Sequence, residues 1–247
     1  MRSSIRYARR YLLIALSALL VQACDNNNST PAPPPPPPPP PAMASFDVTV
    51  TNLTNGQPIS PIAVIAHNDG YAVFTLGAPA TVGLEMLAED GDNTMLIADA
   101  DADAAVLATG SGAAPIAPGG SETVTLEVLE SDLPGLLISV DAMLGNTNDA
   151  FTGVNGIDVS GLATGDAWTG RGSAYDAGTE ANTEAAGDVP GPAAGGEGFN
   201  AARDDRLDAV TMHSGIVSQD DGLAASALSG QQRFDNPVAM VRIERTD

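Results

Sequence analysis

Nine consecutive prolines, Pro33–Pro41, divide this chain before any fold can be assigned to it. Proline locks φ near −65° and has no N–H to donate. The tract therefore neither continues a helix nor joins a sheet ladder. It favours an extended polyproline helix rising about 3.1 Å per residue, a semi-rigid stalk. A packed domain must lie after it, beginning near Ser45.

The segment ahead of the stalk reads as a removable leader. Arg2, Arg6, Arg9 and Arg10 precede the largely apolar stretch Tyr11–Ala23, which is 13 residues long and short of the about 20 needed to cross a bilayer as a helix. A basic start followed by a short apolar core is the pattern of a signal peptide. It closes on Val21-Gln22-Ala23-Cys24, where a small residue precedes the only cysteine. This resembles the bacterial lipobox, which implies cleavage before Cys24 and a lipid on that thiol. The expected divisions are a signal peptide over 1–23, a lipidated cysteine and proline-rich linker over 24–44, and one domain over 45–247. With one cysteine there is no internal disulfide, so stability has to come from burial.

Charge narrows the partners. All 10 basic residues are arginines and 4 belong to the leader, leaving 6 against 31 acids, a net −25 after cleavage. Such a surface repels phosphate backbones, and nucleic acid is excluded as an expected partner. Five Phe, four Tyr and one Trp are also too few for a broad stacking platform.

Within the domain the dominant period is two. Phe46–Thr51 and Thr123–Leu129 alternate apolar with polar residues. Ile62–Ala66, Tyr71–Leu76, Leu136–Met143, Thr152–Val159 and Val238–Arg245 read as further strands, the second joined to the first through His67-Asn68-Asp69-Gly70. Thr81–Ala88 reads as one short helix. Asp90–Ala105 reads as a solvated acidic loop or frayed helix. Its Asp99, Asp101 and Asp103 imitate a calcium loop, but Ala104 and Gly110 stand where that loop needs Gly and Glu. Residues 177–202, rich in Gly, Ala, Pro and acids, read as one long loop. Short strands, turns and no βαβ rhythm predict an all-β antiparallel sandwich with one or two short helices.

One short segment concentrates oxygen donors: Tyr175-Asp176-Ala177-Gly178-Thr179-Glu180 carries two carboxylates, a hydroxyl and a glycine. Hard cations such as calcium take several oxygens in irregular geometry. Asp149, in Asn148-Asp149-Ala150-Phe151-Thr152-Gly153, is the partner expected from upstream. The competing expectation is that these acids are solvated loop residues.

Together with Phe46–Thr54, Pro58-Ile59-Ser60-Pro61, His67 and the closing Val241–Arg245, these two segments resemble the spondin domain, found in the matrix proteins F-spondin and mindin and in bacterial proteins. The resemblance spans nearly all of 45–247. It implies a β-sandwich similar to calcium-dependent membrane-binding domains, and one calcium held by Asp149, Asp176 and Glu180. Glu180 departs from the family's Asp. The family's disulfides and its adjoining repeats are absent as well. The resulting expectation is a calcium-binding lipoprotein of a bacterial envelope, anchored to membrane through Cys24. It would serve as a binding or adhesion module for a protein, glycan or lipid ligand of the periplasm or outer surface. Alternatives are a metal-free structural or interaction module and an envelope hydrolase.

An enzyme is not the expectation. His67 and His213 are the only histidines, and neither a Gly-x-Ser-x-Gly nor a His-Glu-x-x-His sequence is present. Both histidines read as structural. Trp168, the sole tryptophan, reads as core packing beside the acidic segments.

Overall fold

The computed structural model describes residues 37–247; the expected leader 1–23, Cys24 and the proline tract through residue 36 lie outside the described residues. Pro40–Asp247 forms one contact unit. Its strand β1, Met43–Asn52, buries Ala44, Ser45, Phe46, Val48, Val50 and Asn52 and leaves Asp47, Thr49 and Thr51 half-exposed, so the period-two reading holds from Phe46 onward. β1 is flanked on one side by β4, Ser121–Leu129, and on the other by β9, Ala239–Arg245.

β2, Ala63–His67, is buried at every position. It lies between β3, Val106–Ser111, and β5, Leu137–Met143. Val64 and Ala66 face the main core, whereas Ala63 and Ile65 face α1, Val82–Asp90, and α2, Thr94–Asp101. A strand covered on both faces loses its polar alternation, which explains the continuous apolar run.

β5 pairs with β6, Ala150–Asp158, and β6 with the last four residues of β7, Ala167–Asp176. The first six residues of β7 pair instead with β9. The path is β3-β2-β5-β6-β7-β9-β1-β4, antiparallel throughout, with the two-residue β8, Thr211–Met212, added to the end of β7. The two end strands nearly meet: a Cβ on Gly110 of β3 would stand 2.7 Å from Val124 Cγ1 and 2.9 Å from Leu126 Cδ2 of β4. The sheet thus curls almost into a barrel around Phe46, Val48, Val64, Ile138, Val241 and Ile243.

α1 follows local rules. Thr81 caps it by accepting the Leu84 N–H at 3.2 Å. Leu84, Leu87 and Ala88 form its buried stripe, and Gly91 ends it at φ +72° with its N–H on the Leu87 carbonyl. The acidic stretch after it holds a real helix, α2, whose Leu96 and Ala100 reach the same cluster. Asp101 and Asp103 take the Thr109 hydroxyl and the Ala105 N–H.

Tyr71–Leu76 is a loop rather than the expected strand. Its aromatics serve the outer face of the sheet: Phe74 lies 5.1 Å from Phe151 and 4.8 Å from Tyr175. The Phe74 carbonyl accepts from the Asn155 side chain instead of a neighbouring strand. Residues 177–202 are irregular, as expected, and the irregular stretch runs on to Val210. Val189, Ile216 and Leu228 give the long connection from β7 to β9 a small core of its own. Trp168 packs on the main core, but it stands eight residues from Asp176 along β7, about 26 Å at strand rise, so it does not adjoin the acidic segments.

Candidate metal centre

Strand register brings the two acidic segments together. Ala150 pairs with Asp176, and the Ala177 N–H bonds the Asp149 carbonyl at 3.2 Å. Asp149 is fixed just ahead of β6 by Thr147, whose hydroxyl donates to the Leu144 carbonyl at 2.6 Å and accepts the Ala150 N–H at 3.1 Å.

Beyond Asp176 the chain turns sharply at Gly178, φ +72°, where a Cβ would run into the backbone of Ala209. The Gly178 N–H donates to Asp176 Oδ1 at 2.9 Å. The turn then lays Thr179 and Glu180 over Asp149: their N–H groups donate to Asp149 Oδ2 at 2.8 and 3.1 Å, and the Thr179 hydroxyl stands at 3.3 Å. Asp149 is fully buried, and among the described residues its Oδ1 has no partner.

This acid is pushed up to about 7, first by burial and then by the charge of Asp176, against the pull of the two N–H donors. Glu180 is pushed up to about 8 by burial, then by Glu89, Asp149 and Asp188. Asp176, 8 % exposed, accepts the Asn182 side-chain N–H on Oδ2 at 2.6 Å. Asn182 Oδ1 in turn lies 3.3 Å from His213 Nε2. His213 Nδ1 accepts the Gly215 N–H at 2.9 Å, which puts the ring proton on Nε2. Burial lowers His213, with Asp176 acting in the opposite sense.

α1 supplies acids the sequence reading did not connect to the site. Glu85 and Glu89, one turn apart, are 3 % and 1 % exposed. Glu85 Oε2 meets Arg203 Nη2 at 2.7 Å; the same guanidinium bonds the Ala80 carbonyl and Asp208. Glu89 Oε2 accepts the Asn200 N–H at 2.9 Å. Burial raises Glu89. Their other oxygens, Glu85 Oε1 and Glu89 Oε1, lack partners among the described residues. The available signal was the i, i+4 spacing of two acids flanking the apolar stripe of a short helix. Glu184, whose N–H donates to Asn148 Oδ1 at 3.2 Å, adopts φ +51° while buried and accepts the Val217 N–H on Oε1 at 3.0 Å.

The structure therefore gathers Asp149, Asp176 and Glu180 at one end of the barrel, tied through backbone N–H groups. The donor set is all oxygen, with Asp149 Oδ1 lacking a partner among the described residues and Asp149 and Glu180 raised first by burial and then by neighbouring acids, which suits a hard cation. As the side chains stand, among the described residues no three His, Cys, Asp or Glu groups are poised to hold a metal ion. A cation there would have to draw the carboxylates inward.

Neither histidine makes an open catalytic pair. His67 Nε2 lies 2.8 Å from Ser139 Oγ and Nδ1 2.7 Å from the Asn68 carbonyl. His67 is 1 % exposed and Ser139 not at all, so no substrate reaches that hydroxyl in this conformation. A separate cleft of about 300 Å³ is walled by Pro58, Pro61, Met143, Pro190 and Pro192, with Asp90 at its rim; the three predicted ligands do not line it.

No family model matches the chain, and no curated protein matches it.

Proposed function

We propose that this protein is a calcium-binding module of a bacterial cell envelope, lipid-anchored through Cys24 and carrying a spondin-like β-sandwich that binds or adheres to a ligand. The observation that carries the reading is the Asp149 clamp. Two consecutive N–H groups and a hydroxyl hold one oxygen of a fully buried carboxylate and leave the other without a partner. Leaving a buried carboxylate oxygen unpaired is costly, and a divalent cation would supply the missing charge. Asp149, Asp176 and Glu180 are the proposed holders. Bound calcium would order the 177–210 loop against the barrel.

The sandwich description rests on β7. Its change of partners from β9 to β6 divides the strand path into β4-β1-β9 and β6-β5-β2-β3 across a shared core. Strands that switch sheets form such corners in orthogonal sandwiches. Among the described residues no helix is long and apolar enough to cross a membrane. Titration calorimetry of the protein with calcium, and with magnesium for comparison, tests the metal. Heat of binding together with a higher melting temperature is expected, and the absence of both would sink the calcium reading.

One observation favours the metal-free alternative. Both Asp176 oxygens and one oxygen of Asp149 already accept hydrogen bonds. In that case the loop is held by these bonds alone and calcium leaves its melting unchanged.

A further inference from the structure

The cleft of about 300 Å³ is assembled from five separate stretches of chain: residues 58–61, the end of α1, the β3–β4 connection, the end of β5 and residues 190–192. Its walls are tied to one another. The Gly145 N–H donates to the Pro58 carbonyl at 2.8 Å, the Ser60 N–H to the Met143 carbonyl at 3.0 Å, and the Met143 N–H to Ser60 Oγ at 2.9 Å. Residues 190–192 press onto the end of β5, where a Cβ on Gly191 would stand 1.8 Å from the Gly145 carbonyl oxygen, and the Ala193 N–H on Asn146 Oδ1 at 2.9 Å holds them there. The cleft is pre-formed and lies at the lower end of the size range of small-molecule sites.

Its hydrogen-bonding capacity is one-sided. Five of the twelve lining residues, Pro58, Pro61, Pro115, Pro190 and Pro192, have no N–H to donate. The N–H groups of Ile59, Ser60, Gly91, Met143 and Gly145 are already engaged within the fold. Ser60 Oγ, the one hydroxyl of the lining, accepts from Met143 and turns toward the Pro61 carbonyl at 3.4 Å. The cleft therefore has almost nothing to donate to an anion. What it offers is the carboxylate of Asp90, which is exposed and enters no ion pair among the described residues. Gly198 leaves that carboxylate its room, since a Cβ there would stand 2.2 Å from Asp90 Oδ1. Asp90 also ends α1, where terminal carbonyls carry partial negative charge and no basic side chain occupies the last turn.

We propose that this cleft binds a small aliphatic amine as its ammonium ion, with the hydrocarbon body between the prolines and Met143 and the cationic end on Asp90. The walls select an apolar body, and the carboxylate at the helix end selects the charge. An ammonium group only donates, which matches a lining that only accepts. The described lining holds no aromatic side chain, so a quaternary ammonium finds no cage there. The site stands apart from the calcium reading: Asp149, Asp176 and Glu180 do not line it.

Hexylammonium, hexanol and hexanoate share a chain length and separate these determinants. Each is titrated into the full chain in calcium-free buffer, followed by amide shifts in NMR, at about 0.15 M salt so that general attraction to the acidic surface is screened. Hexylammonium should bind about tenfold more tightly than hexanol, with shifts centred on Ser60, Gly91, Met143 and Gly145, and hexanoate should give no saturable shift. Asp90→Asn should bring hexylammonium down to the level of hexanol. Asp69→Asn, which removes an exposed acid outside the cleft, should leave it unchanged. Equal loss in both variants, shifts scattered over the acidic surface, or indifference to Asp90→Asn overturns the proposal. A blocked lysine amide binding as tightly as hexylammonium overturns the small-molecule assignment in favour of a protein side chain.

Discussion

The backbone N–H of Glu180 donates to Asp149 Oδ2 at 3.1 Å, so two residues 31 positions apart are joined through the main chain of one and the side chain of the other. That bond makes the 177–180 turn dependent on Asp149 whether or not an ion is present. Asp149→Ala would leave the buried Thr179 N–H and the half-buried Glu180 N–H without an acceptor, at a cost of about 2–3 kcal/mol. Urea denaturation in calcium-free buffer should show it, with Asp149→Asn milder because an amide oxygen can still accept.

The same cluster sets a pH trend. Asp149 and Glu180, at about 7 and about 8, lie above their ordinary 3.8 and 4.5, so the folded chain holds these protons more tightly than the unfolded one. In metal-free protein the stability they contribute is fully present below about pH 4 and is lost as pH rises through 7 to 8. Melting temperature without calcium should therefore fall from pH 5 to pH 8. Calcium, which takes the ionised carboxylates, should raise it more at pH 8 than at pH 5.

Asp141 adds to that slope from another place. It lies on β5 with both oxygens unpartnered among the described residues, and burial holds it well above the usual carboxylate range. The sign is the same: its contribution is kept at low pH and lost on the alkaline side. Asp141→Asn cannot ionise, so its melting temperature should decline less between pH 5 and pH 9 than the parent's. Equal slopes would show that Asp141 does not titrate differently in the fold.

Arg203 is the counter-charge of a buried acid and the clasp of the long loop. Arg203→Gln would leave Glu85 buried without its cation, costing roughly 3 kcal/mol. Limited proteolysis should then cut within 190–208 sooner than in the parent, because the guanidinium also holds the Ala80 carbonyl and Asp208.

Gly178→Ala tests the turn itself. The left-handed φ and the approach of the Ala209 backbone together should cost on the order of 2–3 kcal/mol. Circular dichroism melting measures the loss. Calcium affinity should drop with it, because Thr179 and Glu180 are aimed by this residue.

The parts of the fold legible in the sequence were those where one face is wet or both are dry. β1 and β4 alternate because they are half-buried, and β2 and β5 run apolar because helices cover their outer face. β7 went unread since Gly170 and Gly172 interrupt its pattern; Trp168 and Thr152 occupy the space their side chains would need. β3, Val-Leu-Ala-Thr-Gly-Ser, is half-buried along almost its whole length and so shows no period. Tyr71–Leu76 looked like a strand because its aromatics are spaced to meet a sheet face, which a loop can also do. In the candidate site, Asp149 and Asp176 stand out in the sequence because their segments are compact. Glu89 does not, since nothing local marks a helix acid as facing a loop more than 90 residues away.

β1 enters the fold at Met43 and runs to Asn52, which aligns through Ala239 with Gly172 of β7; Asp176 therefore lies at the end of the barrel away from Met43. A pull on the chain ahead of Met43, opposed by a ligand gripped near Asp176, travels lengthwise along β1. β1 is bonded to β4 through nine residue pairs and to β9 through seven. Both ladders would be loaded in shear, their hydrogen bonds strained together instead of peeling in turn. Under the proposed anchorage, tension on the chain would meet these two ladders in shear.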